Sequence, residues 1–256
     1  MTCASRAALG AGLAIGLQRA IDTLRPGGDG VWTRLNHRGD PVSLASGPAL
    51  AIAGAAALRL PLPAAMVAGL GAGLVGAYDD AADAAGGLHA KGLRGHLAAL
   101  RSGRVTSGAV KVVGLAAVGG ATARLLGRRT PVDLMLGTAL IAGSANLLNL
   151  LDLRPGRALK VGVVAALAQG QPGLVAATGA LLPDDLAERT MLGDTGANAL
   201  GALLGAAALH RHSRRTAWWG LVGIVGLTGL SEVTSYTRII EASPPLRWAD
   251  QLGRLR

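Results

Sequence analysis

Four stretches of this sequence, 41–58, 60–78, 134–151 and 161–183, contain no Asp, Glu, Lys or Arg. A soluble domain of 256 residues would break its apolar residues into short periodic runs. Uncharged blocks of about 18 or more residues read instead as transmembrane helices, since about 20 residues at 1.5 Å each span the hydrocarbon layer. The 39 glycines suit close helix–helix approach in lipid. The expected fold is therefore all-α, a polytopic integral membrane bundle of about nine helices, with residues 1–256 as one domain.

The net charge of +10 invites a nucleic-acid reading. With few aromatic residues the chain has no stacking platform, and it has no compact soluble module to carry one, so no nucleic-acid partner is expected. The positive charge is expected to orient the chain in a bilayer and to meet anionic headgroups or phosphates. Cys3 stands alone, so no intramolecular disulfide can form, and no Cys/His metal cluster exists in the sequence.

Taken in order, residues 1–22 carry an apolar segment, Ala7 to Leu17, between Arg6 and Arg19. A cleaved signal peptide would need small residues where Arg19 and Asp22 stand, so a short first membrane helix is expected. A polar loop, 23–42, contains Asn36-His37-Arg38-Gly39-Asp40-Pro41. Further helices are expected near 43–60, 62–78, 105–125, 132–151, 195–210 and 216–236. The block 161–183 is interrupted by Gln169-Gly170-Gln171-Pro172-Gly173, a turn signal that predicts two short helices. Between 79 and 104 lies a polar segment whose piece 92–100 is weakly amphipathic and suited to a membrane surface. The tail, 243–256, is basic and polar.

With nine helices, the loops holding Asp79 and Asp80, Asp152, and Asp194 share one side of the membrane. That side carries 15 of the 25 Lys and Arg residues and the other side 8. The positive-inside tendency makes the motif side cytoplasmic.

Asp79 and Asp80 end an uncharged run, so they stand at the C-terminal end of a helix, where the dipole disfavours acids. A bound cation is the simplest reason; two solvated acids that merely stop a helix are the alternative. Asn146, Asn149 and Asp152, spaced i, i+3, i+6, share one helix face, either as a ligand site or as polar glue between helices. Asp194 with Thr195 precedes an apolar helix and could serve as its cap. Lys91, Lys111, Arg154, Arg157 and Lys160 lie close by in the topology. Carboxylates that hold Mg²⁺, ringed by Lys and Arg, suit a diphosphate-bearing substrate.

The order Gly-x-x-Asp-Asp, Lys-Gly-Leu, Asn-x-x-Asn-x-x-Asp and Met-x-Gly-Asp-Thr-Gly resembles the polyprenyl-phosphate sugar-1-phosphate transferases, the MraY and WecA-type enzymes of glycosyltransferase family 4. The resemblance runs from the Asn36–Pro41 loop to Ser231-Glu232. It implies a bacterial plasma-membrane enzyme whose active site faces the cytoplasm. A polyprenyl (undecaprenyl or decaprenyl) phosphate attacks the β-phosphate of a UDP-sugar, with Mg²⁺, giving polyprenyl-diphospho-sugar and UMP for peptidoglycan, teichoic-acid or other cell-envelope glycan synthesis. By motif, Asp79 and Asp80 would be the catalytic pair and Asp194 the Mg²⁺ ligand. Asn146, Asn149 and Asp152 would line the nucleotide and diphosphate site, and Lys91 and Lys111 would contact phosphates. Such relatives are expected to dimerise.

The chain departs from that pattern. The family usually follows Asn-x-x-Asn-x-x-Asp with Gly-x-Asp-Gly, where this chain has Leu153-Arg154-Pro155-Gly156, and no histidine follows His212. These departures keep open a second reading: a catalytically silent relative that binds polyprenyl phosphate or cell-wall machinery as a scaffold. A small transporter or channel would place acids in mid-membrane rather than at helix ends.

Overall fold

The computed structural model describes residues 1–84 and 106–254. Within them the chain forms α1 (Cys3–Leu24), α2 (Asp29–Trp32), β1 (Thr33–Leu35), β2 (Pro41–Ser43), α3 (Ser46–Ala57) and α4 (Leu62–Ala84, with a π turn at Val67–Gly71). Then follow α5 (Ser107–Leu125), α6 (Pro131–Leu151), α7 (Arg157–Ala168), α8 (Pro172–Leu186), α9 (Gly193–Arg211), α10 (Arg214–Val233), α11 (Tyr236–Ala242) and α12 (Pro244–Gln251). The fold is all-helical apart from one antiparallel ribbon, β1 paired with β2, in which Arg34 faces Val42.

All of the expected helices are present. Three of them, α4, α5 and α6, are long and apolar enough to cross a membrane. Helix α3 is apolar but has 12 residues, about 18 Å of rise, well short of a hydrocarbon layer of about 30 Å. The turn expected inside 161–183 separates α7 from α8: Gly170 adopts φ +62°, and Gln171 accepts the Arg59 backbone N–H at 2.9 Å. Pro172 then opens α8 at a position where no N–H is missed.

Two boundaries differ from the sequence reading. Helix α4 does not stop at Tyr78 but continues to Ala84, so Asp79 and Asp80 are helical. The last long helix stops at Val233, before 236, and the polar tail 243–256 carries a helix of its own, α12, preceded by the short α11. Lys91 and the segment 92–100 lie outside the described residues.

Helix α9 is the axis of the bundle. Its sequence is mostly Gly, Ala and Leu, and nearly every residue from Gly193 to Leu209 is buried. Small residues let neighbours approach to backbone contact. A Cβ on Gly201 would lie 2.3 Å from the Ser144 carbonyl of α6, and one on Gly76 would lie 2.2 Å from the Asp194 carbonyl. Both distances are impossible for a real side chain, so α4 and α6 pack on α9 as closely as helices can. Contact with α6 runs antiparallel, because Gly205 meets Ile141 while Gly201 meets Ser144. That geometry places the end of α6, the end of α4 and the start of α9 together.

Candidate functional site

At this junction Asp80 reaches from α4 to the N-terminus of α9. Its Oδ1 accepts the Asp194 N–H at 3.1 Å; its Oδ2 accepts the Thr195 N–H at 3.0 Å and the Thr195 hydroxyl at 2.7 Å. These N–H groups belong to the first turn, which has no intrahelical acceptors. The sequence supports this locally. Gly193 sits at φ +59°, and a Cβ there would come 2.9 Å from Leu44 Cδ2 and 3.1 Å from Asp80 Oδ2. Just upstream, Met191 donates its N–H to the Ser43 carbonyl at 2.8 Å and accepts the Ser46 hydroxyl at 2.7 Å. Arg34 of the ribbon donates to the Asp80 backbone carbonyl at 3.2 Å.

The electrostatic puzzle of two acids at a helix C-terminus is thus partly resolved without a metal. Asp80 is favourably placed at the positive end of α9. A cap was anticipated at α9, yet Asp194 does not supply it; the carboxylate 114 positions earlier does.

Asp79, on the neighbouring position of α4, is buried and turns to Lys111 of α5. The Lys111 Nζ lies 3.1 Å from Asp79 Oδ2 and also contacts Asp194 Oδ2. Asp79 is further hydrogen-bonded by Ser107, one turn before Lys111, and lies against the Asp194 carboxylate. Two motifs far apart in sequence therefore meet around one ammonium group, supplied by α5. Among the described residues no cluster of three or more His, Cys, Asp or Glu side chains is arranged to hold a metal. Asp79 and Asp194 do converge on a single cationic position. Two carboxylates are what Mg²⁺ requires when phosphate oxygens complete its shell, so the donors present fit the ion.

Asp152, immediately after α6, lines a cavity of about 70 Å³ with Asn36, His37, Arg154, Asp185 and Thr190. Burial, and then the charges of Asp185, Asp194 and Asp80, hold the Asp152 carboxyl well above the usual carboxylate range. Asp185 is 4% exposed and accepts the Gly156 backbone N–H. Burial pushes its pKa up to about 6, the Gly156 hydrogen bond opposing the rise. Asn146 and Asn149 share the face of α6 that leads to Asp152 and are half-buried.

The expected ring of cations is only partly formed. Lys111 is central and Arg154 lines the cavity, but Arg157 and Lys160 are committed elsewhere. Arg157 binds Asp250 of α12 through Nε at 2.8 Å and Nη2 at 3.2 Å, and Lys160 donates to the Asp250 carbonyl at 2.7 Å. A buried Arg needs a carboxylate, and the tail supplies one. Asp185, Asp250 and Ser107 escaped the sequence reading. Pro183 obscures the continuation of the helix to Leu186, and with it the helical placement of Asp184 and Asp185. Asn198 escaped as well: one turn beyond Asp194, it is 0% exposed, and neither its Oδ1 nor its Nδ2 has a hydrogen-bond partner.

No protein-family model matches the sequence, and no curated protein matches it.

Proposed function

We propose that this chain is a membrane-embedded sugar-1-phosphate transferase that joins a nucleotide-activated sugar phosphate to a polyprenyl phosphate. The observation that carries this reading is the meeting of Asp79, Asp80, Lys111, Asp194 and Thr195 at the ends of two candidate spans, α4 and α5. A lipid phosphate is presented at such a level in a bilayer, beside whatever polar donor approaches from water.

In this reading all nine long helices are membrane-embedded, the apolar block 161–183 as two half-spans, with Asp152, Asp184 and Asp185 outside the hydrocarbon. The excess of Lys and Arg on the site's side supports a cytoplasmic face for it. An oxygen of the lipid phosphate attacks the β-phosphorus of a UDP-sugar as the bond between that phosphorus and the bridging oxygen breaks, releasing UMP. Mg²⁺ held by Asp194 and Asp79 would draw charge from the diphosphate oxygens. Asp79 is the member of the acidic pair suited to orient or deprotonate the lipid phosphate, because both Asp80 oxygens are occupied by α9. Asp80 then acts by fixing the first turn of α9, and with it Asp194. Phosphoryl transfer rests on such positioning and charge neutralisation.

The test uses purified protein in detergent with polyprenyl phosphate, Mg²⁺ and a panel of radiolabelled UDP-sugars. Label entering the organic phase, lost with EDTA and in Asp79→Asn, is the expected result. A panel with no transfer, in protein that still binds polyprenyl phosphate, would instead support the silent scaffold. That second reading draws on Pro155 and on the capture of Arg157 and Lys160 by the tail.

A further inference from the structure

We propose that Lys111 is an exchangeable counter-cation that closes the Asp79–Asp194 site until a diphosphate and a divalent cation arrive together. The proposal rests on the transferase reading for the identity of the ligand, but its logic is read from the side chains. Two largely buried carboxylates from different helices that face each other must either share a proton or hold a cation between them. Here that cation is covalently tethered: the Lys111 ammonium contacts both Asp79 Oδ2 and Asp194 Oδ2. Any metal ion entering the pair must displace it.

A lysine is suited to such an exchange. Its charge is a point on a four-carbon flexible stem, so the ammonium can move several ångströms while α5 stays in place. It cannot simply leave, since the displaced charge would have no partner in a largely buried setting. A diphosphate offers the missing destination. It accepts the ammonium on one oxygen and presents others to the metal, while Asp79 and Asp194 transfer from ammonium to metal. Neither ligand alone completes the trade.

An independent feature points to a ligand at the same place. Asn198 follows Asp194 by four residues, so it shares its face of α9, and helical side chains tilt toward the N-terminus, here toward Asp194. Its amide is fully buried with neither polar atom hydrogen-bonded. Mg²⁺ sheds water reluctantly and keeps several waters when bound. An uncommitted amide one helical turn from Asp194 would supply an acceptor and donors for the water around such an ion.

The consequence is reciprocal coupling: each ligand tightens the other by the same factor. Equilibrium dialysis of the full chain in detergent with radioactive Mn²⁺, with and without inorganic pyrophosphate at equal free Mn²⁺, measures it. In the wild type, pyrophosphate should tighten Mn²⁺ binding by roughly tenfold, within the usual range for coupled sites. Lys111→Gln should bind Mn²⁺ alone roughly tenfold more tightly than wild type and lose most of the enhancement, whereas Lys111→Arg, which keeps a cation, should stay weak. Mn²⁺ binding that is no tighter in Lys111→Gln, or that survives in Asp79→Asn/Asp194→Asn, would overturn the proposal. So would an absence of Mn²⁺ binding in every form. Because the readout is metal binding, the exchange stands if no sugar is transferred, and transferase activity with unchanged Mn²⁺ affinity in Lys111→Gln would refute the exchange alone.

Discussion

Replacing Asp80 by Ala removes three hydrogen bonds from the first turn of α9 and leaves the Asp194 and Thr195 N–H groups without their acceptor. Loss of a helix cap destabilises by about 0.5–2 kcal/mol. The lost attraction between the carboxylate and the helix dipole adds up to about 2 kcal/mol in a partly buried setting. Together these give about 3 kcal/mol for Asp80→Ala. Asp80→Asn keeps one acceptor oxygen and loses the charge, so about 1 kcal/mol is expected. In a chain of this size each kcal/mol lowers Tm by about 2–4 °C, so Asp80→Ala should melt about 6–12 °C below wild type and Asp80→Asn about 2–4 °C below. The assay is thermal unfolding in one detergent, followed by far-UV circular dichroism. Thr195→Ala adds an internal check: its hydroxyl bonds only to Asp80 among the described contacts, so the double variant should be little worse than Asp80→Ala alone. If Asp80→Ala melted with wild type while abolishing sugar transfer, Asp80 would be a reacting group and the capping argument would fail.

Other substitutions probe neighbouring links. Gly76→Val forces α4 away from the Asp194 carbonyl, and overpacking of about 1–3 kcal/mol should appear as a lower Tm together with weaker Mn²⁺ retention. Asp250→Asn leaves Arg157 buried without a countercharge, which costs about 3–5 kcal/mol; Arg157→Met with Asp250→Leu should recover most of that loss in the same melt. Asn198→Leu removes a buried amide with no partner, so it should raise stability by about 1–3 kcal/mol while loosening Mn²⁺ binding; a lower Tm would show that the amide is satisfied. Asp185 has a folded pKa of about 6, above the carboxylate value in an unfolded chain. Between about pH 4 and 6 the folded state therefore binds more protons, and stability falls as pH rises, by up to about 3 kcal/mol in all. Asp185→Asn should flatten that slope in melts taken from pH 4 to 7.5.

The helices were legible because hydrophobic blocks and punctuation are local properties. The Gln169–Gly173 turn shows this well: a Gly able to take φ +62° and a Pro that opens a helix mark it without reference to the rest of the chain. The count of helices puts the loops of Asp79 and Asp194 on one side, but it leaves Lys111, inside α5, assigned to neither. What that count could not assign was division of labour. Adjacent residues on a helix point about 100° apart, so Asp79 and Asp80 were bound to face different neighbours, and only packing decides which one meets Lys111 and which one caps α9. Arg157 and Lys160 were misread for a related reason. Their partner lies 93 and 90 positions later, on a segment whose composition reads as tail.

That long separation has a consequence for how the chain is made. Helix α7 leaves the ribosome well before α12, and at about 5–20 residues per second the Arg157 guanidinium waits about 5–20 s for Asp250. During that interval a side chain that ends up 5% exposed has no countercharge of its own, so α7 should settle in place only after α12 arrives. Assembly at this end of the molecule then runs backwards along the chain, with the later segment fixing the earlier one. A nascent chain stalled before position 250 should therefore show residues 152–160 open to protease while the α4–α9 junction, complete by position 195, is already protected.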